Sequence, residues 1–440
     1  MTEFMKRTTF SIISLGCPKN TVDSETLSGK LQNLGCVFKA NPEEAEIVIV
    51  NTCGFIEQSR AESIETIFET LELKETGSVR KVFIMGCLTQ RYGDLLRKEI
   101  PEADRIDGVH SIDSIVEAIT RKKSFCADEE SRILLTPSHL AYLKIAEGCD
   151  NSCAFCSIPL IRGKQQSRSI PSLLREAEYL RQKGVKELIL VAQDLTRYGS
   201  DLPGKVRLVD LLEDLLQANL FPWVRLMYNH PDFWSPEMNN LFRKYPALVP
   251  YIDIPIQHAS DRILKLMNRR KDREEIRRVL KTIRNDAPCV ALRTSVMVGF
   301  PSESEADFNE LLDFIEEIRF ERLGVFTYSQ EEGTASANLP DDILAEEKER
   351  RKEIVMQLQW DISHEFALNQ TGKTLDVLIE EKKPDGFIGR SVWDAPEIDC
   401  SVLVNSEGPL PIGEISAVRI DEVQELDLIG HVVEKNQDRT

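Results

Sequence analysis

Near the amino terminus three apolar runs, FSIISLG, EIVIVN and KVFIMG, each lead straight into a cysteine, at the junctions SLGC, NTC and MGC. A helical pattern follows each run, around Asp23–Leu34, around Glu57–Leu73 and from about Thr89. Strands and helices alternating in this way fold as a doubly wound α/β layer around a parallel sheet. In a parallel sheet every strand-to-helix junction lies on the same carboxyl edge, where ligands bind. Cys17, Cys53 and Cys87, separated by 36 and 34 positions, are therefore expected to converge in space. Any one of them alone reads as an ordinary buried cysteine. Three in the same topological place point to a bound metal.

At 440 residues the chain is too long for one ordinary core, and two or three domains are expected. Residues 128–137 read as a linker. A second α/β series follows, with AYLKIAEG, ELILVA, WVRLMY, YIDIPI, LRTSVMVGF and RLGVFTY as strands. Helical stretches lie between them at Pro171–Lys183, Leu208–Leu215, Arg273–Arg284 and Glu305–Ile318. Six such units describe a complete or partial βα barrel, whose chemistry sits at the carboxyl ends of its strands. After a long helical segment at Asp341–Asn369, the last residues change to short Val/Ile/Leu runs broken by Gly and Pro, the pattern of a small five-stranded β-barrel or sheet.

The first barrel strand opens into EGCDNSCAFCSIP, with Cys149, Cys153 and Cys156 spaced C-x3-C-x2-C. A closed zinc site takes four protein ligands. Three leave two readings: a zinc ion completed by a distant His or Cys, or a 4Fe–4S cube with one iron lacking a protein thiolate. Phe155 inside the loop offers an apolar shield for an adenine. At later strand ends stand Gln193 and Asp194, Gln257 and His258, and Gly299 with Glu303. Asp194 serves equally to cap the next helix, and His258 to fix its loop by hydrogen bonds. Arg162, in IPLIRGKQQSR, is a candidate contact to substrate or cofactor, but reads first as an exposed loop arginine.

Bulk composition limits the partners. It is that of a globular protein, 42% hydrophobic and 29% charged, with 73 acids against 55 bases and a net charge of -18. Such a surface disfavours nonspecific nucleic-acid binding and suits a basic partner. No apolar run has the length of a membrane helix, so no membrane association is expected. Lys6-Arg7 and LGC loosely imitate a lipoprotein signal, but the intervening run is short and carries Thr8, Thr9, Ser11 and Ser14. The expectation is a cytoplasmic protein whose ten cysteines are thiols, not disulfides. Cys36, Cys126, Cys289 and Cys400 have no neighbour at ligand spacing and are given no role.

The C-x3-C-x2-C motif after a first barrel strand resembles the radical S-adenosylmethionine superfamily. The three-part organisation, with boundaries near 8–125, 135–368 and 371–437, resembles its methylthiotransferases. Those carry an amino-terminal domain, a radical core and a TRAM domain, an OB-like β-barrel. The resemblance implies two 4Fe–4S clusters, one on Cys149, Cys153 and Cys156 and an auxiliary one on Cys17, Cys53 and Cys87. It implies S-adenosylmethionine as cofactor, contacted by residues such as Phe155, Gln193, Asp194, Gln257, His258 and Gly299, and an external electron donor. Many relatives have Gly-Gly-Glu where AQDLTRYG stands, which weakens transfer of that glutamate's role. SLGCPKNTVDSE and AQDLTRYG are similar to the branch that methylthiolates the β-carbon of an aspartate in small-subunit ribosomal protein S-twelve. The alternatives are the tRNA-modifying branch, which acts on an adenosine, and a noncatalytic RNA-binding protein with structural metals, using Phe387 and Trp393 to stack bases. Residues 371–440 hold seven Lys/Arg against fifteen Asp/Glu, so this β-domain is expected to dock a basic protein and no tRNA.

Overall fold

A computed structural model describes residues 7–123 and 132–434. Cys126 and the first part of the expected linker lie outside the described residues. The chain divides into two compact units, one within Met1–Thr136, Tyr142–Asn151 and Cys156–Gln166, the other within Pro137–Ala141, Ser152–Phe155 and Ser167–Thr440.

In the first unit, β1 (Thr9–Ser14), β2 (Val37–Phe38), β3 (Ile47–Thr52), β4 (Lys81–Gly86) and β5 (Arg105–Ile106) make one parallel sheet in the order β2-β1-β3-β4-β5. Its helices are α1 (Pro18–Asn33), α2 (Glu57–Glu75), α3 (Cys87–Glu99) and α4 (Ile112–Thr120). Successive strand residues face opposite sides of a sheet, and here both sides are covered. Val48, Val50, Val82 and Ile84 pack with Ile67 and Leu71 of α2 and with Leu88 and Leu96 of α3. Ile47, Ile49, Phe83 and Met85 pack with Leu27 and Leu31 of α1 and with Ile115 and Val116 of α4. Double burial is why these strands read as unbroken apolar runs. Helix α1 starts earlier than its apolar pattern indicates, because Pro18 supplies the fixed φ of a first helical position directly after Cys17.

The second unit continues through β6 (Leu140–Lys144), β7 (Ala146–Glu147), α5 (Ile158–Arg162), β8 (Gln166–Ser167), α6 (Ile170–Gln182) and β9 (Glu187–Val191), part of which stretch the first unit shares. Next come α7 (Leu208–Gln217), β10 (Trp223–Leu226), α8 (Pro236–Lys244), β11 (Leu248–Asp253), α9 (Asp261–Leu266), α10 (Arg273–Asp286), β12 (Ala291–Val298), α11 (Glu305–Ile318), β13 (Arg322–Thr327) and α12 (Ala345–Leu368). The sheet runs β13-β12-β11-β10-β9-β6, each strand beside its successor, and β9 through β13 pair in parallel. This is the partial βα barrel expected of the repeated pattern. Strands β14 (Thr374–Lys383), β15 (Gly386–Ser391), β16 (Val402–Asn405), β17 (Ile415–Gln424) and β18 (Asp427–Val432) close a separate five-stranded barrel around Val377, Ile379, Val402, Val404 and Val418.

Buried charge joins the two barrels of this unit. Glu187, which opens β9, accepts from Arg225 Nε at 2.6 Å and pairs with Arg390 of β15. Arg225 also donates to Val392 O at 3.0 Å, Tyr251 to Asp399 at 2.7 Å, and Arg322, which opens β13, to Asp394 at 2.6 Å. Burial disfavours the Glu187 carboxylate, but Arg390 and Arg225 outweigh it and hold its pKa down at about 2. Breaking a buried ion pair from one side costs about 3–5 kcal/mol, since the partner charge stays buried. Glu187→Gln is therefore expected to lower the unfolding free energy, obtained from urea titration followed by tryptophan fluorescence, by an amount in that range at pH 7. Because the folded pKa is depressed, the wild-type stabilisation holds above the ordinary glutamate value of 4.5. It disappears as pH falls toward about 2, and a pH-independent difference between wild type and variant would contradict this assignment.

Candidate metal centres

The parallel sheet of the first unit brings the three strand-end cysteines to one edge. Cys17 caps α1, Cys53 follows β3 directly, and Cys87 is the first residue of α3 after β4. Two glycines let the loops interleave. Gly16 has φ +87°, and a Cβ there would lie 2.7 Å from Cys53 Cβ and 2.9 Å from its sulfur. A Cβ on Gly54 would lie 2.6 Å from the Leu88 backbone, next to Cys87. Asn20 ties all three loops: Nδ2 donates to Leu15 O at 2.8 Å and Thr52 O at 3.1 Å, and Oδ1 accepts from Cys87 Sγ at 3.7 Å. Ser63 fixes Cys53 from behind, accepting from its N–H at 3.0 Å and donating to its carbonyl at 2.9 Å.

The electrostatics of this edge fit a bound cation. Burial raises the Cys53 and Cys87 thiols, Cys87 to about 11, and the neighbouring thiols add to both shifts. Cys17 is also opposed by burial, yet Lys19 and Arg162 bring it below the ordinary thiol value. Three thiolates so placed repel one another, and a metal that neutralises them removes that penalty.

The second cysteine set lies in the loop after β6 and β7. Gly148 has φ +71°, and a Cβ there would stand 2.1 Å from Lys164 O, so the loop closes tightly on the segment behind α5. Cys149 N–H donates to Gly163 O at 3.1 Å, and Asn151 N–H to Cys149 Sγ at 3.4 Å. Within the second unit, Asn268 Nδ2 holds Ser152 O at 2.6 Å, Ala154 N–H donates to Met267 O at 2.9 Å, and Arg269 Nη1 donates to Cys153 Sγ at 3.7 Å. N–H groups aimed at sulfur are what a thiolate or a thiolate-bound cluster requires. Among the described residues no three His, Cys, Asp or Glu side chains gather about a single ion; a cube with separate iron corners asks only that each thiolate reach its own corner.

The remaining expected contacts occupy strand ends of the second unit. Phe155 packs against Ile263, Met267, Phe300 and Tyr328. Asp194 is buried and accepts from Thr196 N–H at 2.9 Å, the capping arrangement that its position also allowed. Gln193, beside it, is half-buried. Gln257 is a left-handed residue (φ +73°) bonded through its backbone to Ser295 and Met297. His258 is fully buried; Nδ1 accepts from Ser260 N–H at 2.9 Å and Nε2 lies 3.8 Å from Glu303, itself paired to Arg351 at 3.1 Å. Gly299 has φ +71°, and a Cβ would meet Lys348 Cγ at 2.3 Å, so close packing there demands glycine.

One functional-looking group was misplaced by its sequence context and another was not singled out. Arg162, expected on an exposed loop, is buried. His230, in MYNHPD after β10, is half-buried beside Arg269 at 2.6 Å, and loss of solvent together with Arg269, Arg270, Arg197 and Lys271 pushes its pKa down to about 2, keeping it neutral. A histidine between Asn229 and Pro231, just past a barrel strand, was the available signal.

Comparison with known proteins agrees with this layout. Residues 9–108 match the family described as uncharacterized protein family UPF0004, residues 143–315 the radical SAM superfamily, and residues 371–433 the TRAM domain. The fold is similar to that of the radical S-adenosylmethionine methyltransferase TsrM from Kitasatospora setae (TM-score 0.52, 14% identity, 73% of this chain and 75% of that one). It is also similar to the cobalamin-dependent radical enzyme OxsB (TM-score 0.51, 12% identity, 81% and 58%). Barrel, cysteine loop and family matches together define a radical S-adenosylmethionine enzyme, a class that works with an iron–sulfur cluster and S-adenosylmethionine. Curated relatives named ribosomal protein uS12 methylthiotransferase RimO are 45% identical in Clostridioides difficile (96% of this chain, 98% of the relative) and 45% in Petrotoga mobilis (97% and 99%). The chain belongs to that RimO family of methylthiotransferases. Among the described residues no helix is long and apolar enough to cross a membrane.

Proposed function

We propose that this protein methylthiolates the β-carbon of an aspartate in ribosomal protein uS12, using two 4Fe–4S clusters. The observation that carries the reading is the pair of three-cysteine sets, the first at the carboxyl edge of a parallel sheet and the second in the loop after β6 and β7, each with a guanidinium donating to one of its sulfurs. Cys149, Cys153 and Cys156 would hold the cluster that works with S-adenosylmethionine, and Cys17, Cys53 and Cys87 the auxiliary one. When bound, the first supplies the one-electron chemistry that activates an inert C–H bond, and the second a site for the sulfur to be transferred.

The residues of the chain have plainer tasks. Arg269, held by Pro255 O at 2.9 Å and by neutral His230, keeps an N–H on the Cys153 sulfur. Phe155 and its apolar neighbours keep water from the middle of the cysteine loop. Gln193, Asp194, Gln257, His258 and Gly299 shape the strand ends against which S-adenosylmethionine would lie. The reductant comes from an external electron donor. The base-stacking alternative loses its aromatic platform: Phe387 is in the small barrel's core, and Trp393 is half-buried, packing edge-on against Phe366 and donating to Cys289 O at 2.9 Å.

The test is mass spectrometry of uS12 and of tRNA after incubation with anaerobically reconstituted enzyme, S-adenosylmethionine and a reductant. A gain of one methylthio group on a uS12 aspartate is expected, with tRNA unchanged. Methylthiolated tRNA beside untouched uS12 would overturn the substrate.

A further inference from the structure

Arg162 ends α5, shortly after Cys156, and is only 2% exposed. Inside the first unit its guanidinium is enclosed by acceptors. Nη1 donates to Glu147 Oε1 at 2.8 Å and Oε2 at 2.9 Å, and to Asp23 Oδ2 at 3.1 Å. Nη2 donates to Asn20 Oδ1 at 2.5 Å and to Cys87 Sγ at 3.6 Å. Lys144 completes the group, with Nζ at 2.7 Å from Glu147 and in contact with Asp23. Arg162 and Asp23 are thus buried together with Lys144 and Glu147 half-buried beside them, a costly way to tie a short helix to a sheet, since apolar side chains of similar volume serve that purpose as well or better. Apolar packing is in fact already present: Ile161, next to Arg162, contacts Cys87 and Val109. What a guanidinium adds is a fixed charge and an N–H at the sulfur.

We infer that Arg162 is a positioning residue for the auxiliary triad, donating to the Cys87 sulfur and raising the reduction potential of the cluster bound there. The inference rests on the two-cluster reading above. A cluster on three thiolates is an anion that becomes more negative on reduction, so a fixed cation and a hydrogen bond to sulfur favour the reduced form. Asp23 and Glu147 keep the guanidinium from turning away, and Asn20, which already links the three cysteine loops, accepts its other bond. A lysine at this position keeps one charge but lacks the planar fork that reaches Glu147, Asn20 and the sulfur at once.

The experiment uses the full-length chain carrying Cys149→Ala, Cys153→Ala and Cys156→Ala, reconstituted anaerobically with iron and sulfide, so that only the triad's cluster contributes. Its midpoint potential is titrated while the reduced cluster is followed by electron paramagnetic resonance. Added Arg162→Gln is expected to move the midpoint to more negative potential and change the g values. Arg162→Lys is expected to move it the same way by less. A purely structural role would instead lower iron content without moving the midpoint of the cluster that remains. An unchanged midpoint in both variants overturns the inference, and where Arg162→Gln holds no iron, an unchanged midpoint in Arg162→Lys alone overturns it. Failure of the parent protein to bind any cluster would instead refute the two-cluster reading.

Discussion

Cys153→Ala is expected to reduce cleavage of S-adenosylmethionine to background, read as 5′-deoxyadenosine after reduction with dithionite. The loop offers three thiolates, and an iron–sulfur cluster held by two is labile and readily lost. The substitution itself is mild for the fold. The backbone on either side of Cys153 is anchored by Asn268 to Ser152 O at 2.6 Å and by Ala154 N–H to Met267 O at 2.9 Å. Neither bond involves the sulfur. The variant should therefore express and unfold like the parent while losing the iron proposed for this loop. Its one local loss is the acceptor of the Arg269 N–H, 3.7 Å away, and Arg269 retains Pro255 O and His230. Normal deoxyadenosine formation in this variant would remove Cys153 from the ligand set.

The parallel sheets were legible because double burial writes itself into sequence as unbroken apolar runs, and EIVIVN and KVFIMG lie across both core clusters of the first unit. The cysteine positions were legible for the same reason, since topology alone brings strand ends to a common edge. Pairing of charges across long sequence separations was not. Arg162 sits in a polar stretch with no periodicity, and its partners Asp23 and Glu147 belong to different segments. A weaker signal was present in the strands themselves. Glu187 in KELILVA, Arg225 in WVRLMY and Arg293 in LRTSVMV interrupt apolar runs with charge, and each proves to be buried or nearly so, with an opposite charge. A charge inside a doubly buried strand requires a partner, but sequence does not say which.

That network also changes the weight of the carboxyl-terminal charge. Asp394, Asp399 and Glu380, three of the acids behind the expected affinity for a basic protein, face arginines, a tyrosine and a histidine within their own unit. Arg390, one of the bases, is buried among them. Part of the acidic balance therefore serves the joint between the two barrels. Removing residues 373–440 would uncover Glu187, Arg225 and Arg322. A weakened enzyme after such a truncation is explained by the exposed joint alone, so docking of uS12 is better judged by substituting acids that stay exposed, such as Glu381 and Asp385.

Cys53→Ala separates the two cysteine sets. It is expected to stop methylthio transfer to uS12 while S-adenosylmethionine is still cleaved, now uncoupled from product. The side chain belongs to the buried edge formed by β1, β3 and β4, and the cysteines of the other set are in the loop after β6 and β7. Truncation at Cβ disturbs little around it: Ser63 binds the Cys53 backbone from both sides, and the alanine Cβ keeps the contact for which Gly16 makes room. Cys17 and Cys87 remain, but two thiolates do not retain a cluster, so on the two-cluster proposal bound iron is expected to fall by about half. Three readings on one preparation then decide the matter: iron content, deoxyadenosine and methylthiolated uS12. Reduced iron, persistent deoxyadenosine and no detectable methylthio product are the expected set. Methylthiolated uS12 formed at the parental rate would leave the triad with a structural role only.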